Sequence, residues 1–182
     1  MKITDKTTLE DLGAIVCTAL KAAGIDAFLS GGAVVSIYTH NAYQSWDLDF
    51  ISHGSFDTIT EVMTNLGFSR ERGRHFIHPN SQFFVEFPGV AMQIGDQLIT
   101  TFAERTTKAG TLRLLRPTEC VMDRLAAFYH WNDPQGLEQA ILVALAHPVD
   151  LKAIEGWSQK EGVKKKFADF LDELKMRKAK RK

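Results

Sequence analysis

The sequence predicts an α+β protein in which strands and helices are mixed up to about residue 116 and helices follow alone. Short apolar segments bounded by turn residues, such as Ala27-Phe28-Leu29, are typical of strands. After Pro117 the apolar residues recur at helical spacing, and Asp133-Pro134 is typical of an N-cap followed by a first-turn proline. We therefore expect a core of strands and helices over residues 1–116, a helical region over 117–176 and a disordered basic tail over 177–182.

Caps and turns divide the first part of the chain into elements. Thr7-Thr8-Leu9-Glu10 predicts a capping box with Thr7 as the N-cap, and Gly24 is expected to end that helix. The elements expected next are a strand over 26–30, a Gly-Gly turn, a helix over 33–39, a strand over 46–51 and a helix from Ser55 to Gly67. Later strands are expected over 75–78, 83–87, 98–102 and 111–115.

Composition and charge give little direction towards a partner. With 182 residues, 45% of them apolar and 24% charged, the chain has the composition of a soluble globular protein. Its 22 basic and 22 acidic residues balance, so the net charge favours neither a nucleic-acid partner nor an acidic one. The segment Lys175–Lys182 holds six basic residues and is either a solvated tail or an arm that contacts nucleic acid.

Cysteine usage and the distribution of apolar residues indicate in which cellular compartment the protein is expected. Cys17 and Cys120 match no metal-binding or redox spacing, which predicts two buried free thiols. The first residues contain no apolar signal region, and no apolar run approaches the length of a membrane span. We therefore expect a cytoplasmic protein without a membrane partner.

Two aspartates interrupt an apolar strand in Trp46-Asp47-Leu48-Asp49-Phe50-Ile51. Alternate residues of a strand share one face, so Asp47 and Asp49 point the same way while Leu48 and Phe50 point into a core. Acids are poor strand formers, and two adjacent carboxylates repel each other unless a cation lies between them. Either these are solvated acids at a strand end, or they bind Mg²⁺ or Mn²⁺, which prefer oxygen ligands. We favour metal binding.

Gly31 and Gly32 follow the apolar strand that ends at Ser30. Glycines let a phosphate approach the backbone closely, and the N-terminus of the next helix favours anions. The alternative is a tight strand-to-helix turn without a ligand. Glu86 lies in the aromatic segment Phe83–Phe87 and is either a third carboxylate of the metal site or an acid on the solvent face of an edge strand.

Several basic residues are candidates for binding phosphate. Arg70, Arg72 and Arg74 would share one face of an extended segment, which suits a triphosphate or an RNA backbone, although a solvated hairpin fits equally well. Single candidates are Lys108, Arg113 and Arg124, and the sequence does not favour one of them. His75 and His78 are expected on opposite faces of a strand, which argues against a shared zinc ion.

Taken together, Ser30-Gly31-Gly32 and Asp47-Leu48-Asp49-Phe50 resemble the signature of the DNA polymerase β-like nucleotidyltransferase superfamily. The segments Arg116–Ala127 and Trp131-Asn132-Asp133 are similar to the helical part of small bacterial members, including toxin-like proteins of the AbiEii type. The resemblance covers roughly residues 8–146. It implies a nucleotidyltransferase fold, which is a small mixed sheet flanked by helices, followed by a C-terminal helical bundle.

The resemblance also implies an activity, namely transfer of a nucleoside monophosphate from an NTP to an acceptor hydroxyl. The residues it implicates are Asp47, Asp49 and Glu86 as catalytic ligands of Mg²⁺ or Mn²⁺, and Ser30, Gly31 and Gly32 around the β,γ-phosphates of the NTP. The acceptor is left open between RNA such as tRNA, a cognate partner protein in a toxin–antitoxin pair, and a small molecule. The rival hypothesis is a non-catalytic module that keeps the fold and binds a nucleotide or a partner.

Overall fold

The computed structural model describes residues 2–89 and 93–180. The helices are α1 (Leu9–Ala22), α2 (Gly31–Tyr38), α3 (Phe56–Asn65), α4 (Pro117–Trp131), α5 (Pro134–Ala146), α6 (Leu151–Lys160) and α7 (Lys164–Lys180). The strands are β1 (Ala27–Ser30), β2 (Asp47–Ser52), β3 (Ser69–Arg72), β4 (His75–Ile77), β5 (Phe84–Glu86), β6 (Gln93–Ile94), β7 (Gln97–Leu98), β8 (Ala103–Thr107) and β9 (Gly110–Leu114).

Seven strands form one mixed sheet in the order β3-β4-β5-β2-β1-β9-β8. The pairs β2–β5 and β1–β9 are parallel, whereas the other neighbours are antiparallel. Strands β6 and β7 form a separate antiparallel hairpin. The central strand is therefore β2, which carries the two aspartates, and its neighbour β1 leads directly into the two glycines at the start of α2.

Strand β2 has an apolar face and a polar face. Leu48 and Phe50 are fully buried, whereas Asp47 and Asp49 are half-buried. Helix α1 covers the apolar face, since a Cβ built on Gly13 would lie 3.0 Å from Leu112 and 3.5 Å from Leu48. Because side chains alternate along a strand, the two carboxylates point to the opposite face from α1.

The helices after Pro117 pack together and against α2. Asn132 ends α4 in the left-handed conformation with φ +52°, and Asp133 caps α5 by accepting from the backbone N–H of Gln135. The amino group of Lys166 on α7 donates to the backbone oxygen of Phe128 at 3.0 Å, which fixes the end of α4. These contacts join the end of α4 to α5 and α7.

Several local details differ from the sequence prediction. Thr8 caps α1 rather than Thr7, because the Thr8 hydroxyl accepts from the N–H of Asp11 at 3.1 Å, while Thr7 accepts from Thr4 at 2.9 Å. The strand expected over 98–102 is replaced by the end of β7 and the start of β8 at Ala103. Helix α2 begins at Gly31 rather than at residue 33.

Residues 177–180 of the segment expected to be a disordered tail belong to α7, which continues to Lys180. The ion pair of Arg177 with Glu138 on α5 at 2.8 Å holds this turn against the bundle, and a second pair with Glu173 at 2.7 Å lies within α7. Residues 181 and 182 lie outside the described residues. Cys17 and Cys120 are buried free thiols, as predicted. Within residues 2–89 and 93–180, no helix has the length and apolar character needed to cross a membrane.

Candidate functional site

Strand pairing brings the three predicted carboxylates to one face of the sheet. Asp47 and Asp49 are two residues apart on β2 and share that face. Strand β5 runs parallel beside β2 and pairs Glu86 with Asp49. On the other side of β2, Ser30 of β1 also pairs with Asp49. The three residues Ser30, Asp49 and Glu86 therefore form one row across three adjacent strands.

The electrostatics of this row are dominated by negative charge. Burial, together with the neighbouring carboxylates of Asp47 and Glu86, raises the pKa of Asp49 to about 7. The hydroxyl of Ser45 donates to the Asp47 carboxylate and orients it. A group of oxygen donors with an unfavourable excess of negative charge is the chemistry that suits Mg²⁺ or Mn²⁺.

The carboxylates do not converge on a single metal-binding position. Among the residues that the structure describes, no three histidine, cysteine, aspartate or glutamate side chains converge closely enough to hold a metal ion. Mutual repulsion between like charges favours such a separation when no cation is present. The donor set fits a divalent cation by its chemistry and its placement on one face, and the side chains would have to turn towards one another for common coordination.

The two glycines lie immediately beside the carboxylates. Gly31 is the first residue of α2 and has φ +69°, a conformation that favours glycine. A Cβ at Gly31 would collide with a carboxylate oxygen of Asp49. A Cβ at Gly32 would lie 3.1 Å from the Ser45 hydroxyl and 3.2 Å from the Tyr43 ring. The N-terminus of α2 and the carboxylate row thus share one narrow space.

Arg124 of α4 reaches the same space from the helical region. Its Nε and Nη2 donate to the Asp123 carboxylate at 2.9 and 2.6 Å, and its Nη1 donates to Gln139 at 3.3 Å. Burial acts against its positive charge, but the carboxylates of Asp123 and Asp49 help to keep the pKa above its ordinary value. Arg124 is therefore a permanent positive charge held next to Asp49.

Of the other basic candidates, several are engaged elsewhere. Arg113 pairs with Asp26 at 2.7 Å. The guanidinium groups of Arg70 and Arg74 lie over the Phe56 ring, at 5.0 and 4.5 Å from its centroid. Strand β3, which carries Arg70 and Arg72, is the outermost strand on its side of the sheet. Strand β4 therefore lies between Arg70 and Arg72 and the strand β5 that carries Glu86, whereas the backbone oxygen of Arg74 accepts from the N–H of Phe87 at 3.2 Å.

Sequence reasoning missed Tyr43 and Gln139. Gln139 is 3% exposed on α5, where it accepts from Arg124. Burial, followed by the charge of Asp47, raises the pKa of Tyr43. Tyr43 lies in the loop before β2, and no local pattern distinguishes it from an ordinary loop residue. Both become visible through their contacts with residues that are distant in sequence.

A cavity of about 260 Å³ opens at the carboxylate row. Its polar lining consists of Ser30, Gly31, Asp49, Asp123, Arg124 and Gln93. Its apolar lining consists of Phe28, Ile51, Pro88, Ile94, Ile99 and Leu115. This cavity therefore combines a glycine-rich helix start, carboxylates, the guanidinium of Arg124 and an apolar wall.

The fold is similar to that of two solved structures. An antigenic nucleotidyltransferase-like protein from Paracoccidioides brasiliensis matches with a TM-score of 0.58 and 16% identity, over 91% of this chain and 94% of that chain. The antibiotic-resistance factor ANT(2'')-Ia matches with a TM-score of 0.50 and 12% identity, over 97% of this chain and 99% of that chain. No protein-family model and no curated protein sequence matches. The likenesses confirm the predicted nucleotidyltransferase fold, while the AbiEii branch stays a prediction.

Proposed function

We propose that this protein is a metal-dependent nucleotidyltransferase, which moves a nucleoside monophosphate from an NTP to an acceptor hydroxyl. The observation that carries the proposal is the register of β2 and β5. It sets Glu86 beside Asp49, on the same face as Asp47, at the start of the helix that begins with Gly31. The fold shared with nucleotidyltransferase-like proteins supports the same conclusion.

Each residue has a role that its position supports. Asp47, Asp49 and Glu86 would hold Mg²⁺ or Mn²⁺, which supplies neutralisation of the charge on the attacking and leaving oxygens. Backbone N–H groups at Gly31 and Gly32, with the Ser30 hydroxyl, would bind the β,γ-phosphates at the positive end of α2. These assignments use every polar residue that the sequence motif contains.

Arg124 would add positive charge on the triphosphate side of the site. A guanidinium donates to phosphate oxygens in a bidentate geometry and stays charged at any physiological pH. In the transfer, the acceptor oxygen forms a bond to the α-phosphorus, and the bond from that phosphorus to the pyrophosphate oxygen breaks. Glu86 is the carboxylate we assign to take the proton of the acceptor hydroxyl.

The identity of the acceptor is part of the same proposal. The resemblance to toxin-like proteins supports RNA such as tRNA, or a cognate partner protein. The similarity to an antibiotic-resistance factor supports a small molecule as the third class of acceptor. The balanced net charge of the chain favours none of the three.

The test is incubation with each of the four α-labelled NTPs and Mg²⁺ or Mn²⁺, in the presence of total RNA, protein extract and a small-molecule fraction. We expect label in one of these fractions, and loss of labelling with EDTA or with Asp47→Asn combined with Asp49→Asn. Nucleotide binding without transfer to any fraction would support the non-catalytic module instead. A folded protein that neither binds nor transfers any NTP would contradict the proposal.

A further inference from the structure

Strand register extends the row of site residues beyond Glu86, towards the edge of the sheet. Strand β4 runs antiparallel beside β5 and pairs His75 with Glu86, while β3 pairs Arg72 with His75. Residues that lie directly opposite each other on paired strands project from the same face of a sheet. The row therefore crosses five adjacent strands, in the order Ser30, Asp49, Glu86, His75 and Arg72.

An irregularity in β3 turns Arg72 towards this face. The register shifts between Arg70, which pairs with Phe76, and Arg72. Phe76 is fully buried and His75 is its neighbour on β4, so these two side chains point to opposite faces. Arg70 therefore lies on the face of Phe76, where its guanidinium covers Phe56, and Arg72 lies on the face of the carboxylates. The arginines of this segment thus do not share one face, contrary to the sequence prediction.

The two residues at the end of the row differ in how firmly they are held. The His75 ring centroid lies 4.5 Å from that of Phe84, and its Nε2 lies 3.5 Å from the Glu71 carboxylate. Arg72 is exposed and forms no ion pair with a carboxylate of the described residues. This end of the row therefore presents a positioned imidazole and, one strand further out, a guanidinium without an ion-pair partner.

The chemistry of transfer assigns the two halves of the row to different substrates. The attacking and leaving oxygens lie on opposite sides of the phosphorus in an in-line displacement. In the function proposed above, the pyrophosphate leaves on the side of Ser30 and Gly31, and Glu86 takes the proton of the acceptor hydroxyl. The acceptor then has to lie on the side of Glu86 that is away from β1, which is where His75 and Arg72 follow.

We propose, on the premise of that function, that the acceptor carries a phosphate group beside its reacting hydroxyl and that Arg72 and His75 bind this phosphate. Strand spacing places the backbone of His75 about 5 Å and that of Arg72 about 10 Å from Glu86 along the row. A phosphate separated from the hydroxyl by one sugar ring fits this interval, as in the terminal nucleotide of RNA or in a sugar phosphate. A guanidinium binds phosphate in a bidentate geometry, whereas it repels the cationic groups of an amino sugar.

The experiment measures acceptor binding in Mg²⁺ and saturating inorganic tripolyphosphate, which occupies the donor phosphate site. The probes are a labelled single-stranded RNA of about ten nucleotides with a free 3′ hydroxyl, followed by fluorescence anisotropy, and ribose 5-phosphate and ribose, followed by calorimetry. Arg72→Gln is expected to weaken binding of the phosphate-bearing probe about five- to ten-fold, and for RNA to reduce the slope of log affinity against log salt by about 0.7. His75→Phe, which keeps the packing against Phe84, is expected to weaken that binding about three-fold.

Arg70→Gln is the matched control, because it removes the same charge from the same strand on the opposite face. It should change the affinity for either phosphate-bearing probe by less than about two-fold. Arg72→Lys keeps the charge without the bidentate geometry and should recover part of the affinity that Arg72→Gln loses. NTP·Mg²⁺ binding and thermal unfolding of the arginine variants should match the wild-type protein, because the donor site lies at the other end of the row.

The outcomes separate this inference from the proposed function. A loss in Arg72→Gln that is larger with RNA than with ribose 5-phosphate identifies an RNA end as the acceptor, and the reverse identifies a sugar phosphate. Equal affinity of Arg72→Gln and wild type, equal losses in Arg72→Gln and Arg70→Gln, or ribose binding as tightly as ribose 5-phosphate would overturn the phosphate-bearing acceptor and leave the proposed function standing. Wild-type protein that binds neither RNA nor ribose 5-phosphate would overturn it as well. Failure of the proposed function itself would appear as wild-type protein that binds no NTP.

Discussion

Replacing Asp49 by asparagine is expected to stabilise the metal-free protein above neutral pH. The pKa of Asp49 is about 7 in the folded protein, against 3.8 for a free carboxyl, because burial and the charges of Asp47 and Glu86 disfavour ionisation. The folded state therefore binds the proton more tightly than the unfolded state does. Stability falls as pH rises from about 4 to about 7, and the full penalty is present above pH 7.

The size of the effect follows from the difference between these two pKa values. Each unit corresponds to about 1.4 kcal/mol, so a difference of about three units gives about 4 kcal/mol as an upper figure. Asp49 is half-buried and partly screened by solvent, which reduces the expected gain to about 2–4 kcal/mol. For a chain of this length that gain raises the melting temperature by about 5–15 °C.

Thermal unfolding of the wild-type protein and of Asp49→Asn, both in EDTA, at pH 4, 6 and 8 measures the difference in their stability. The two unfolding curves should coincide at pH 4 and separate progressively towards pH 8. Asp169→Asn on α7 is the control, because it removes an exposed carboxylate and is expected to change nothing. Equal or lower stability of Asp49→Asn at pH 8 would refute the conclusion that the ionised Asp49 carboxylate destabilises the folded protein.

Three further substitutions test the roles assigned to single residues. Glu86→Gln keeps the shape of the side chain and removes its charge. It is expected to lower transfer at least about 100-fold in the labelling assay, while NTP·Mg²⁺ still raises the melting temperature. Full transfer activity would remove Glu86 from the mechanism. The valine side chain of Gly32→Val would press on Ser45 and Tyr43 and block the approach of phosphate to the backbone. The thermal shift with any NTP and Mg²⁺ should therefore shrink, and an unchanged shift would contradict the phosphate-binding role of Gly32. Arg124→Gln is expected to weaken tripolyphosphate binding about ten-fold in calorimetry, and undiminished affinity would place the triphosphate elsewhere.

The sequence was sufficient for those features that depend on near neighbours along the chain. The common face of Asp47 and Asp49 follows from the two-residue period of a strand, and the structure has β2 where that pattern lies. The change from strand to helix near the paired glycines follows from their place after an apolar strand, although α2 begins at Gly31 rather than at residue 33. Even at this level the exact boundaries were missed, since Thr7 and Thr8 are chemically equivalent as caps and only the helix start distinguishes them.

Features that join distant segments were decided by the tertiary structure. Glu86 comes to lie beside Asp49 only because β5 pairs with β2 in parallel, and an acid in a short aromatic strand fits an edge strand equally well. Arg124 could not be preferred over Lys108 or Arg113, because its position depends on how α4 packs beside the sheet. The raised pKa of Asp49 and the cavity at the carboxylate row depend on the same packing. The period of a strand or helix determines the face on which a side chain lies, whereas strand order and helix packing determine which other residues that face contacts.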